Sequence, residues 1–144
     1  MDFSDLTINT PVEYINEALQ NSLIGNLHIK IEQIAEGEVI ASMPVCWQTS
    51  RPGGMLHGGS SLAMAETIAG LGTMLLIDLK AFDVRGMQVS ASHTGSIKEG
   101  NVRATAKIIH QGNKTHIWNV DLRGNDGRLI STARVTNIIV KKND

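Results

Sequence analysis

The chain has 144 residues, 42% of them hydrophobic and 19% charged, with a formal net charge of −1. That length suits one domain, expected to span 1–144 and to bury roughly 68–70% of its unfolded surface. A near-neutral charge and an aromatic content of 3% argue against nucleic acid or an acidic membrane surface as partner.

In chain order, PVEYINEALQ (11–20) reads as a short helix with Thr10 as N-cap and Pro11 in the first turn. The start, MDFSDLTINTP, has acids where a signal peptide carries bases, with no apolar run behind them. Cys46 is the single cysteine and cannot form an internal disulfide. Both features point to a cytoplasmic location. HIKIEQI alternates apolar with polar, Glu36-Gly37 breaks it, and EVIASMPV follows, which makes a hairpin. After the loop CWQTSRPGGMLHGG comes an apolar helix whose one formal charge between Gly58 and Ile77 is Glu66. That run is about long enough to span a bilayer. Its glycines, hydroxyls and central acid would cost a few kcal/mol in lipid, so it reads as a core helix.

Beyond Asp78 the period is two. Met87, Val89, Ala91 and His93 share one face, with Gln88, Ser90, Ser92 and Thr94 on the other. Turns at Lys98–Asn101, Gln111–Asn113 and Asn125–Gly127 divide four strands, expected as an antiparallel meander. The fold class is therefore α+β: about six antiparallel strands with the long helix covering one face. Met64, Ile68, Leu71 and Leu75 should meet the sheet. Glu66 should lie beside Gly59, Ala63, Ala69, Gly70 and Thr73 on a face of small residues.

Two features carry chemistry. A buried acid is often structural, paired or capped by hydrogen bonds, but Glu66 is the helix's one charge and has small neighbours. Desolvation would make it a stronger base or nucleophile. His57-Gly58-Gly59 opens the helix, where unpaired N–H groups and a partial positive charge can receive an oxyanion. The plainer reading is a loop shaped by two glycines, with Ser60 as cap. Sharper motifs fail. Gly54-x-x-x-x-Gly59-Ser60 has Ser60 where a phosphate loop needs lysine, Ser60 lacks the trailing glycine of a nucleophile elbow, and the five histidines lack zinc spacing. His93, on an apolar strand face, reads as a hydrogen-bonded core residue or a pocket residue.

The pattern R-P-x-G-x-x-H-G-G-x-x-x-x-x-x-E, from Arg51 to Glu66, resembles the hotdog-fold acyl-CoA thioesterases. It is similar to the branch of the phenylacetate-degradation, hydroxybenzoyl-CoA and dihydroxynaphthoyl-CoA enzymes. MPV at 43–45, the segment around 90–93 and HQGNKTHIWNVDLRGNDGRL at 110–129 extend the likeness over most of the chain.

The resemblance implies a hotdog fold and hydrolysis of an aromatic or medium acyl-CoA, with no cofactor and no metal. It places Glu66 as nucleophile or general base, the Gly58 N–H as carbonyl donor and His57 in support. Arg51, Gly59, Gly70 and His93 fall at substrate positions, and Gly112, Asn113 and Lys114 at a turn near the CoA phosphates. It also implies a homodimer sharing its active sites, assembled as a homotetramer. Two residues depart from the branch: Arg51 stands where members often carry Gln, and Gly70 where they often carry Ser or Thr. An arginine there would stabilise the ionised acid of the facing subunit and the developing oxyanion, or hold an acidic or hydroxylated acyl group. The competing functions are a hotdog hydratase or dehydratase, and a non-catalytic acyl-CoA sensor.

Overall fold

The computed structural model describes residues 3–143; Met1, Asp2 and Asp144 of the expected 1–144 domain lie outside them. Six strands form one sheet: β1 (Lys30–Ala35), β2 (Glu38–Pro44), β3 (Phe82–His93), β4 (Asn101–Gln111), β5 (Thr115–Arg123) and β6 (Leu129–Lys141). Their order is β1-β2-β4-β5-β6-β3, and every neighbouring pair is antiparallel. The helices are α1 (Val12–Leu19), α2 (Leu23–Asn26) and α3 (Gly58–Met74), with a 3₁₀ turn at Phe3–Asp5. The sheet curls around α3, which is the hotdog arrangement and the α+β class expected.

The four-strand meander is corrected in one respect. β4, β5 and β6 are consecutive neighbours, but β3 pairs with β6 at the far edge and β4 pairs with β2. Residues 94–100 are not a tight turn. They cross the end of the sheet, anchored by Gly95 N–H to the Ile130 carbonyl (3.1 Å), Leu56 N–H to Ile97 (2.9 Å) and Val45 N–H to Gly100 (2.8 Å). Met87 also leaves its expected face. It has no partner at a bulge between Gly86 and Gln88 and is exposed, whereas Val89 and Ala91 pack against the core.

At the N-terminus, Pro11 rather than Thr10 occupies the cap position of α1, and no side chain caps it. The Thr10 hydroxyl instead accepts the Thr7 amide (3.0 Å). The short α2, capped by Ser22, is an addition to the expected elements. Asn16 on α1 binds both backbone groups of Ile31 at 2.8 Å, which fastens this helix to the β1 edge.

Alternation fixes the core. β5 is buried at His116, Trp118, Val120 and Leu122 and half-buried between them. Alanines at 41, 104 and 106, all fully buried, let α3 approach the sheet closely, while Met64 and Ile68 fill the space between. Each fully buried side chain of that size contributes about 1.5–3 kcal/mol. Leu71 is buried as expected and Leu75 half-buried.

Ala69 and Thr73 do not lie beside Glu66 on an open face. Both are buried, because the curled sheet covers more than one side of α3. The Thr73 hydroxyl accepts from Trp118 Nε1 (2.9 Å) and Asn137 Nδ2 (3.0 Å), and Asn137 also donates to the Ala69 carbonyl (3.1 Å). A Cβ on Gly72 would collide with the Trp118 ring. The lower turns of the helix are thus locked onto β5 and β6.

One buried polar group in this layer is unpartnered. His116 is 2% exposed and its Nδ1 has no hydrogen-bond partner among the described residues. Burial pushes its pKa below the ordinary histidine value, opposed by the Gly112 backbone and assisted by His110. The unfolded chain therefore takes up a proton here as pH falls below about 6.5, while the folded chain does so only at lower pH. Above that range both states are neutral and the site contributes no slope; below it, folding stability is lost. We expect urea melts of His116→Gln to show a flatter stability–pH curve than wild type below about pH 6.5. Identical slopes would show that His116 titrates alike folded and unfolded.

Candidate active site

The start of α3 is held by the loop before it. Thr49 is fully buried; its hydroxyl donates to the Pro44 carbonyl (2.8 Å) and accepts the Cys46 amide (3.0 Å). The Thr49 carbonyl receives the His57 N–H and the Ser60 hydroxyl, each at 2.9 Å. Ser60 is therefore an anchor, and the cap is His57, whose Nδ1 accepts the Gly59 N–H at 2.8 Å. An imidazole in that role leaves the neighbouring Gly58 N–H without an acceptor among the described residues, at the positive end of a 17-residue helix.

Gly58 borders a cleft of about 220 Å³, lined also by Arg51, Met55, Ser61 and His93. His93 reaches it from the end of β3, and its Nδ1 lies 2.9 Å from the Ser131 hydroxyl. Its Nε2 stands 2.6 Å from where a Cβ on Gly58 would be. Glycine is needed at 58 because an imidazole occupies the space over its Cα. Arg51 donates to Met55 Sδ (3.1 Å) and to the Pro52 carbonyl (3.4 Å). The thioether is a weak acceptor and the carbonyl contact is long, and among the described residues no carboxylate pairs with its guanidinium.

Glu66 is not in this cleft. It lies eight residues along α3 from Gly58, about 12 Å along the axis. The burial expected for it is not made by this chain: Glu66 lies beside β3, the edge strand of the sheet, and is exposed. Its carboxylate rests against β3, with Oε1 2.5 Å from where a Cβ on Gly86 would stand. No hydrogen bond or ion pair engages it among the described residues. Gly59 is exposed, and Gly70 is half-buried with open space over its Cα.

The structure separates the third group further. Gly112, Asn113 and Lys114 form the β4–β5 turn, closed by Gly112 N–H to the Thr115 carbonyl (2.9 Å). Gly112 and Asn113 border a groove of about 400 Å³ with Leu76, Asp78, Phe82 and His116. That groove lies just past the C-terminal end of α3, at the opposite end from Gly58. Within one chain, Arg51, Gly58 and His93 come together, while Glu66 and the 112–114 turn stand apart. Thr49 and Ser131, which organise the cleft, escaped sequence reasoning. Ser131 had left a signal, a hydroxyl on the same strand face as the apolar Ala133 and Val135.

The thioesterase superfamily profile matches residues 53–131. The chain is 33% identical to the 1,4-dihydroxy-2-naphthoyl-CoA hydrolase of Escherichia coli, over 90% of this chain and 94% of that protein. A crystal structure of a mutant thioesterase of Pseudomonas aeruginosa superposes with a TM-score of 0.90 at 34% identity, covering 93% of this chain and 96% of the other. A Staphylococcus aureus thioesterase, solved as a glutamine-to-alanine mutant, gives 0.80 at 39% identity over 81% and 97%. The same protein, solved as a glutamate-to-alanine mutant, gives 0.82 at 38% over 84% and 100%.

Proposed function

This chain belongs to the thioesterase superfamily and is a thioester hydrolase, and we propose that it cleaves aromatic or medium-chain acyl-CoA esters in a site completed by a second copy of itself. The observation that carries this reading is a pair of unsatisfied groups on one helix: the Gly58 N–H without an acceptor and the Glu66 carboxylate without a donor. In the proposed reaction the Gly58 N–H polarises the thioester carbonyl and holds the oxyanion. Glu66 either takes a proton from the attacking water or attacks the carbonyl carbon itself, giving an anhydride that water opens. Either way the C–S bond breaks, the thiolate leaves and is protonated, and free acid and CoA result. The two S. aureus mutants support the residue choice. The interval between their altered glutamine and glutamate equals that between Arg51 and Glu66. With the family established, the hydratase and sensor alternatives give way to hydrolysis.

A carbonyl must lie within roughly 3 Å of both donor and attacking group, so Gly58 and Glu66 of one helix cannot serve one thioester. The edge strand supports the solution. β3 is 12 residues long and pairs on one side only, with β6. A free edge of that length is a template for another strand. A two-fold pairing there would lay the two α3 helices antiparallel and bring Gly58 and His57 of one copy towards Glu66 of the other. We place the Gly112, Asn113 and Lys114 turn at the CoA phosphates, with Lys114 supplying positive charge. Gly59 and Gly70 leave room for the acyl-thioester. A single domain over 1–144, a dimer of dimers and a cytoplasmic location complete the proposal. Among the described residues no helix is long and apolar enough to cross a membrane.

Glu66→Gln should lower kcat on a panel of aryl, short and long acyl-CoAs by at least roughly 10²-fold. Its circular dichroism should match wild type, since an exposed side chain is replaced by a near isostere. Retention of most activity would end the assignment.

Shared sites predict complementation. Glu66→Ala and His57→Ala proteins, each inactive alone, should regain roughly a quarter of wild-type activity when refolded together in equal amounts, because half of random dimers carry one intact site of two. Heterodimers verified by mass spectrometry that stay inactive would refute the shared site.

Arg51→Gln removes a cation that no carboxylate of this chain neutralises, so Tm should hold while kcat/KM falls roughly tenfold or more, the loss of one charge-assisted hydrogen bond. A loss for every substrate assigns Arg51 to the reacting centre; a loss confined to acyl groups with a carboxylate or hydroxyl assigns it to acyl recognition. Unchanged kinetics throughout would return it to the loop surface.

A further inference from the structure

We infer that Ser131 fixes the tautomer of His93, so that the imidazole presents a bare Nε2 to the cleft and acts there as a hydrogen-bond acceptor. Ser131 is fully buried on β6, directly across from His93 on β3. Its Oγ lies 2.9 Å from His93 Nδ1 and 3.4 Å from the Ser92 carbonyl oxygen. A hydroxyl has one proton to give and lone pairs to accept with, and a carbonyl oxygen only accepts. With the Ser131 proton on the Ser92 carbonyl, the Ser131 lone pairs face Nδ1. That nitrogen must then carry the ring proton. In a neutral imidazole the other nitrogen is left bare.

The far side of the ring agrees. Nε2 is the ring atom nearest Gly58, 2.6 Å from where its Cβ would be, at the N-terminal end of α3. Helix N-termini present N–H groups and a partial positive charge. A lone pair is favoured against that end; an N–H would face other N–H groups. The arrangement on both sides of the ring selects the same tautomer.

This has a chemical consequence for the hydrolysis, and that consequence rests on the function proposed above. An acceptor cannot hold the thioester carbonyl oxygen, which is itself an acceptor. His93 is thus no part of the oxyanion site, which is left to the Gly58 N–H. Its Nε2 engages a donor in the cleft, and in a hydrolase the donor that must be oriented is the attacking water. Ser131 acts only through His93 and is a positioning residue.

The test reads the ring directly. Long-range ¹H–¹⁵N spectra of the full-length protein, labelled at histidine and assigned through His93→Gln, should show His93 of the wild type protonated at Nδ1. Ser131→Ala should move it towards the Nε2-protonated form, and Ser131→Thr, which keeps the hydroxyl, should restore the wild-type pattern. On a cleaved acyl-CoA, Ser131→Ala should lower kcat about tenfold with KM nearly unchanged, less than the roughly 10²–10⁴ lost with an acid–base group itself. Ser131→Thr should recover most of it. A wild-type His93 protonated at Nε2, or a tautomer indifferent to Ser131→Ala, overturns the inference. The wild-type spectrum decides even if Ser131→Ala does not fold. Failure to hydrolyse any thioester would instead count against the proposed function and leave the tautomer readout standing.

Discussion

The arrangement around the cleft depends on the hydrogen bond from the Gly59 N–H to His57 Nδ1, 2.8 Å long. A helix start has several N–H groups to satisfy, and serine, threonine or aspartate at the cap is the usual means. An imidazole cap takes one amide and leaves the adjacent one, Gly58, pointing outward. For the cap to hold, His57 Nδ1 must be unprotonated. The cap is itself positioned: the Thr49 carbonyl binds both the His57 amide and the Ser60 hydroxyl, and the Thr49 hydroxyl is tied to Pro44 at the end of β2. The free amide is therefore referred, through three hydrogen bonds, to the rigid sheet.

The opposite end of α3 explains why the helix can carry an exposed acid without losing its seat. Thr73 serves as common acceptor for Trp118 and Asn137, and Gly72 lets the indole lie against the helix backbone. With buried residues on most of its circumference, α3 needs no amphipathic stripe. That is why its sequence is apolar nearly throughout and why it imitates a membrane span. Glu66 stands on the remaining strip, where the neighbour is the bare backbone of Gly86.

Much of this was legible in the sequence because period and spacing carry it. The order of elements, the six strands and the core positions Met64, Ile68 and Leu71 all follow from local pattern. What could not be read were quantities set by tertiary closure. Alternation says that residues 82–93 form a strand but not which strand it joins, since a seven-residue connection can turn back or cross over. Helical spacing placed Thr73 beside Glu66, yet the curl of the sheet buries one and exposes the other. Ser131 acts through a contact with a residue distant in sequence, across 38 positions to His93, and Thr49 through a loop of irregular backbone that no period describes. No short motif announces such a pair.

The same division separates what this fold does chemically from what it selects. The proposed oxyanion donor is a backbone amide, fixed by a cap, a helix and a sheet, and side-chain substitution nearby changes its direction little. The cleft walls are different. Arg51 and Met55 come from a loop that touches the core through few hydrogen bonds, and Arg51 is exposed, its side chain held among the described residues by a thioether and a carbonyl. Their side chains can be exchanged without disturbing Thr49, His57 or α3. If the proposed site is right, such a scaffold can keep one reaction while its acyl preference drifts, because the proposed charge-stabilising amide and the cleft walls belong to different mechanical parts of the molecule. On the proposed reading, acyl preference would rest on side chains such as Arg51 and Met55, whose contacts are local.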